Sequence, residues 1–293
     1  MNRLRIHTSV LVVGAAIAVA QQNWVPQSPS IRFVRVEPDV SLEVVDWGGK
    51  GRPVVLLAGG GDTAHVYDEM APKLAATYRV LGITRRGFGA SSKPKTGYNA
   101  RTLADDVLRV LDALSLDRPV LIGHSVAGEE LSSIGARFSS RVGGLVYLDA
   151  AWDRTYVQPP DKQRSADFDA VGIGNAPMPD PSRFDPQAEL SAGVEKPDYG
   201  SIRAPALALY AAPRTWKEQM PGAPEFSDPA KRAAAERVVG HYTRTRLHMK
   251  DMFRSGVRNS VVVDIPGASH YIFRSNQEDV LREILRFIRS LDP

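Results

Sequence analysis

"VLIGHSVAGEE", residues 120 to 130, decides how this chain is read. Val120-Leu121-Ile122 is an apolar run of buried-strand type, and Val126 to Phe138 carries helical spacing. Only Gly123-His124-Ser125 separates them, so Ser125 occupies a sharp strand-to-helix corner. That context gives the G-x-S-x-G pattern its meaning, because the corner lifts the serine hydroxyl clear of the sheet. Position 127, where the second glycine belongs, holds alanine, and Gly128 follows at once. A serine there is either the cap of the next helix or a nucleophile.

Outward from this corner, short β-branched runs alternate with longer helical patterns. The expected strands are 33–36, 42–46, 54–58, 79–83, 120–122, 145–148, 206–210 and 261–265. The first two are separated by "EPDVS", a hairpin-length gap, and the later ones by helix-length segments. That pattern predicts βαβ crossovers and a mostly parallel eight-stranded sheet with helices on both faces. Residues 103–114 place Leu103, Val107, Val110, Leu111 and Leu114 on one helical face, with Asn99 or Thr102 as cap. Val280, Ile284, Phe287 and Ile288 form a second such stripe. From about Asp153 to Gly200 the alternation stops in a stretch rich in proline and aspartate. A long irregular insertion between two strands reads as a cap or lid over residues 153–200, the alternative being a loose surface excursion.

The 293 residues suffice for one large α/β domain, and 43% hydrophobic with 24% charged residues is ordinary for a globular chain. The first twenty residues hold Arg3 and Arg5, an apolar stretch from Val10, and Ala18-Val19-Ala20. This is the layout of a secretory signal cleaved after Ala20, with a retained anchor as the alternative. The stretch is short of the roughly 20 apolar residues that span a bilayer. On this reading residues 21–293 are the mature domain, exported to the periplasm or secreted, without a membrane span. Of the formal charge of +4, two positive charges belong to the signal, and no basic run suits nucleic acid. With no cysteine, neither disulfides nor lipidation of a thiol is available.

A serine nucleophile needs a base, an acid to orient the base, and amide donors for the developing oxyanion. Among six histidines, His270 is the best placed. "VVVDIPGASHYIF", residues 261–273, sets it in a glycine-containing loop just past the last strand, where open α/β sheets gather functional residues. His124 flanks Ser125 and points the other way. His241 and His248 share a helical face, and a metal site with Asp251 is the lesser reading. Gly59-Gly60-Gly61 follow the third strand without the spacing or lysine of a phosphate loop. Glycines there let backbone N–H groups approach a substrate, so the amides of Gly60 and Val126 are the expected oxyanion donors. Glu129, on a helix expected to be buried, is assigned a structural ion pair with Arg85 or Arg86.

Taken together, "LLAGGG", "GITRRGFGASS", "GHSVAG" and "IPGASH", in that order, resemble the α/β-hydrolase superfamily over essentially the whole mature length. The resemblance implies a cofactor-free serine hydrolase that works through an acyl-enzyme. Most of the family carries its acid after strand seven. Here "PALALYAAPRTW" has none at the strand end, while "GLVYLDAAWD" closes strand six with Asp149. Relatives such as haloalkane dehalogenases keep their acid at that place, so Asp149 is expected, with Asp153 as the alternative. Those relatives use an aspartate nucleophile, and the serine at 125 favours acyl substrates instead.

The expectation is therefore ester cleavage of a small, apolar substrate by Ser125, His270 and Asp149, with Trp152, Tyr156 and Tyr271 lining the pocket. Phe168, Phe184 and Trp216 add further aromatic surface nearby. A lyase or other cofactor-free reaction on the same fold, or a ligand-binding member without catalysis, are the alternatives. Oligomeric state is not encoded in any of these patterns.

Overall fold

The computed structural model describes residues 28–173, 183–223 and 225–291. The expected signal, residues 1–20, lies outside them. Eight strands form one sheet: β1 (Ser30–Glu37), β2 (Val40–Gly48), β3 (Pro53–Leu57), β4 (Arg79–Ile83), β5 (Val120–His124), β6 (Gly144–Leu148), β7 (Ala206–Ala212) and β8 (Ser260–Pro266). Their order is β1-β2-β4-β3-β5-β6-β7-β8. β1 pairs antiparallel with β2, and β2 with β4; every other neighbour is parallel. All eight expected runs are strands, and the "EPDVS" gap is the β1–β2 hairpin.

The α-helices are α1 (Ala71–Ala75), α2 (Ala100–Ala113), α3 (Gly128–Phe138), α4 (Lys162–Ala170), α5 (Pro186–Ala192), α6 (Trp216–Gln219), α7 (Pro229–Gly256), α8 (Ile272–Ser275) and α9 (Gln277–Ser290). Both faces of the central strands are covered, which explains their unbroken apolar runs. On one face Leu121, Leu145 and Tyr147 pack with Leu111, Ile134 and Phe253 from α2, α3 and α7. On the other, Val120, Ile122 and Val146 pack with Leu74, Ile284 and Ile288 from α1 and α9. Burying a side chain of this size contributes about 2 kcal/mol, so the two layers hold the sheet rigid beneath its C-terminal edge. Asn99 caps α2 by accepting the Thr102 amide at 2.9 Å.

Residues 153–200, expected to be irregular, contain α4 and α5. The aspartates that made the stretch look loop-like are helix caps. Asp161 accepts the Arg164 amide at 3.1 Å, and Asp185 accepts the Gln187 amide at 2.9 Å with Pro186 opening the first turn. α4 does not pack on the sheet. Phe168 and Val171 join Trp216, Val238 and Val239 in a separate apolar cluster, which ties the stretch to α6 and α7 beyond the next strand. Asp167, fully buried, anchors the contact by binding Arg237 at 2.7 Å and His241 at 2.9 Å. These partners hold its carboxyl far below the ordinary aspartate range, Arg237 foremost.

Candidate active site

β5 delivers Ser125 to its corner with φ of +54°, a left-handed conformation that non-glycine residues seldom adopt. Ala127 is fully buried, so no larger residue fits there. The glycine requirement has moved one place along. A Cβ on Gly128 would lie 1.9 Å from the Ala150 carbonyl oxygen, so α3 can leave the corner only if residue 128 lacks a side chain. The departure from G-x-S-x-G is therefore compensated within the motif.

Ser125 Oγ lies 2.9 Å from His270 Nε2, and His270 Nδ1 lies 2.7 Å from Asp149 Oδ2. Asp149 closes β6 at φ of +46° and is buried. Aspartate is among the residues that tolerate this region best. Its other oxygen accepts the Ala211 amide of β7 at 3.1 Å, while its own amide donates to Leu209 O at 2.7 Å. Asp153, the alternative acid, instead accepts the Thr155 amide and hydroxyl at 2.9 and 2.6 Å.

His124 supports this line from behind. Its Nε2–H donates to the His270 carbonyl at 3.0 Å, which leaves Nδ1 unprotonated, buried and without a partner among the described residues. Burial, reinforced by His270 nearby, pushes its pKa down to about 3, so the ring stays neutral. The Gly59 backbone lies against this assembly. A Cβ there would come within 2.8 Å of His124 Nδ1 and 3.3 Å of Ser125 Cβ. Gly60 faces Gln187 of α5, and Leu190 of the same helix packs with Val126. Helix α5 thus packs against Gly60 and Val126, the two residues expected as oxyanion donors.

A cavity of about 400 Å³ opens beside His270 and Asp149, within the size range of small-ligand sites. Trp152 lines it, and its indole donates to the Asp149 carbonyl at 3.0 Å. Tyr156 and Tyr271 do not. Tyr156 packs against His248 in a neighbouring hollow, and Tyr271 packs on His124 and donates to Asp62 at 3.0 Å. His241 is committed to Asp167, and among the described residues no cluster of His, Asp and Glu is arranged to hold a metal.

The expected pairing of Glu129 with Arg85 or Arg86 is not observed. Arg85 binds Glu130 at 2.6 Å, and Arg86 takes Asp106 at 2.7 Å. Glu129 accepts the Glu195 amide at 3.1 Å and stands 4.0 Å from Arg154. One residue along a helix turns a side chain by about 100°, so adjacent glutamates must face different partners. Burial raises the Glu129 pKa to about 7. Sequence reasoning also passed over Arg154, whose Nη2 lies 3.4 Å from Ser125 Oγ, and Arg246, which reaches the cavity from α7. Neither belongs to a recognisable local motif; both are assembled by tertiary folding.

The fold, the corner serine and the histidine loop are those of one class. The chain belongs to the α/β-hydrolase superfamily, and the family model for the alpha/beta hydrolase fold matches residues 52–171. It is 32% identical to the AB hydrolase superfamily protein YisY of Bacillus subtilis over 88% of this chain and 99% of that protein. It is 36% identical to a putative non-heme haloperoxidase of a mycobacterium phage, over 35% of this chain and only 37% of the relative. Among solved structures, an esterase from a Rhodococcus species superposes with a TM-score of 0.62. That match is 21% identical and covers 89% of this chain and 99% of the other, a likeness of fold.

Proposed function

We propose that the protein is a serine hydrolase that cleaves a carboxylic ester or related acyl bond. One observation carries the reading: His270 reaches Ser125 Oγ with one ring nitrogen, at 2.9 Å, and the buried Asp149 carboxylate with the other, at 2.7 Å. In this reading Nδ1–H donates to Asp149, which fixes the tautomer and leaves Nε2 free to accept the Ser125 proton. Ser125 attacks the carbonyl carbon as His270 takes that proton. The amides of Gly60 and Val126 hold the oxyanion. Collapse of the tetrahedral adduct expels the alcohol, protonated by His270, and leaves an acyl-enzyme. Water, deprotonated by His270 in turn, then releases the acid and restores the serine.

A serine at position 125 supports acyl chemistry over the alkyl–enzyme route, which needs a carboxylate nucleophile. The hydrogen-bonded geometry also disfavours a ligand-binding member without catalysis. Hydrolysis of p-nitrophenyl esters, with covalent labelling by a fluorophosphonate, tests the reading. Ser125→Ala is expected to abolish labelling and to lower kcat by roughly 10⁴-fold or more. Hydrolysis that survives this substitution overturns it.

A further inference from the structure

Among the described residues the buried arginines are paired, with one exception. Arg85 and Arg86 each hold a carboxylate at 2.6–2.7 Å. Arg246 is 5% exposed, yet its Nε has no hydrogen-bond partner, and no carboxylate forms an ion pair with its guanidinium among the described residues. The two aspartates whose charge reaches it are already committed. Asp149 is bound to His270 and Ala211, and Asp264 to Lys250 at 2.6 Å. A buried unpaired guanidinium is costly, and it persists where something else supplies the counter-charge.

Arg246 and Arg154 both line the cavity beside His270. The nearest carboxylate to Arg154, Glu129, stands at the 4.0 Å limit of an ion pair and is engaged by the Glu195 amide. With Asp149 as the only acid in that wall among the described residues, the lining charges leave one positive charge in excess. Trp152, Ala211, Pro213 and Met220 supply apolar surface between the charged groups. A forked guanidinium suits a carboxylate above other small anions of single charge.

We propose that this cavity seats a carboxylate of the substrate between Arg154 and Arg246, so that the preferred substrates are anionic acyl compounds such as half-esters of short dicarboxylic acids. The preference rests on the hydrolase reading above; the binding of the anion does not. A substrate held by this carboxylate lies beside His270 and within reach of Ser125, where binding energy aligns the scissile bond.

The test compares kcat/KM for p-nitrophenyl hydrogen glutarate, which carries a free carboxylate, with its methyl-capped counterpart. Wild-type enzyme is expected to favour the half-ester at least about tenfold, the lower end for a charged hydrogen bond. In Arg246→Met the ratio should fall to about twofold or less, with Arg246→Lys between. Removing an unpaired buried charge should leave Arg246→Met folded, with a Tm at or above wild type. Free glutarate is the second probe: it should raise the wild-type Tm by about 2 °C or more and leave Arg246→Met unmoved. No preference in wild type, a preference kept in Arg246→Met, or no glutarate shift overturns the proposal. If neither ester is cleaved but the Arg246-dependent glutarate shift remains, the anion site stands and the hydrolase reading falls. Cleavage of the capped ester without preference or shift has the opposite meaning.

Discussion

The Asp149 carboxylate is held at 3.1 Å by the backbone amide of Ala211, a residue 62 positions further along the chain. The acid at the end of β6 is therefore aimed by the edge of β7, the strand that lacks an acid of its own. Asp149→Asn keeps an oxygen for Ala211 but presents an amide N–H to His270, which forces the wrong tautomer. The expected result is a fall in kcat of roughly 10⁴-fold with an unchanged far-ultraviolet spectrum. Asp153→Asn, which disturbs only a turn at Thr155, should change kcat less than about threefold. Equal losses in the two variants, measured on one ester, would refute the assignment.

Glu129 gives the fold a pH dependence of definite sign. Its folded pKa of about 7 lies above the unfolded value of 4.5, so the native state binds the extra proton between them. Stability from this group is present below pH 4.5 and is lost as pH rises through 7. Glu129→Gln keeps an acceptor for the Glu195 amide and removes the penalty. It should stabilise the protein at pH 8 by about 1 to 3 kcal/mol and by little at pH 4.5. Denaturant melts at both pH values measure the difference, and an equal effect at the two would contradict it.

His124 acts in the opposite sense. Its folded pKa of about 3 lies below the unfolded 6.5, so the unfolded state takes up the proton first. Its contribution is present above pH 6.5 and is lost as pH falls toward 3, by up to about 1.4 kcal/mol per pH unit. The slope of stability between pH 6.5 and 4.5 should be shallower in His124→Asn than in wild type. Parallel slopes would show that His124 is not the group responsible.

Gly128→Ala places a methyl group 1.9 Å from the Ala150 carbonyl oxygen, and backbone cannot swing aside as a side chain can. A destabilisation of about 3 kcal/mol or failure to fold is expected. Ala127→Gly, which moves the sequence toward G-x-S-x-G, should cost only about 1 kcal/mol. Thermal melts of the two variants decide whether the second tight position of the corner is 127 or 128.

Much of this was legible in the sequence because it depends on local pattern. Strands buried on both faces write themselves as unbroken apolar runs such as Val54–Leu57, and all eight were visible. The corner at Ser125 needs only a strand, a small residue and a helix in succession. The helices α4 and α5 were hidden because capping aspartates and a first-turn proline look like loop residues until the helix that follows is seen. The partner expected for Glu129 belongs to its neighbour Glu130 for a related reason: which of the two faces Arg85 depends on helix phase against β4, not on composition.

The sequence by itself determined the sheet, the corner that presents Ser125 and the loop that carries His270, since each follows from propensity and hydrophobic period over a few residues. Only the tertiary structure decided the rest. It set the Asp149 carboxylate between His270 and the Ala211 amide of β7 while turning Asp153 to Thr155, and it set Glu129 beside Arg154. It also brought Arg154 and Arg246 to one cavity from segments about ninety residues apart. Such convergence has no sequence signature, because the energy that fixes it comes from packing helices onto a sheet whose strand order is not the chain order.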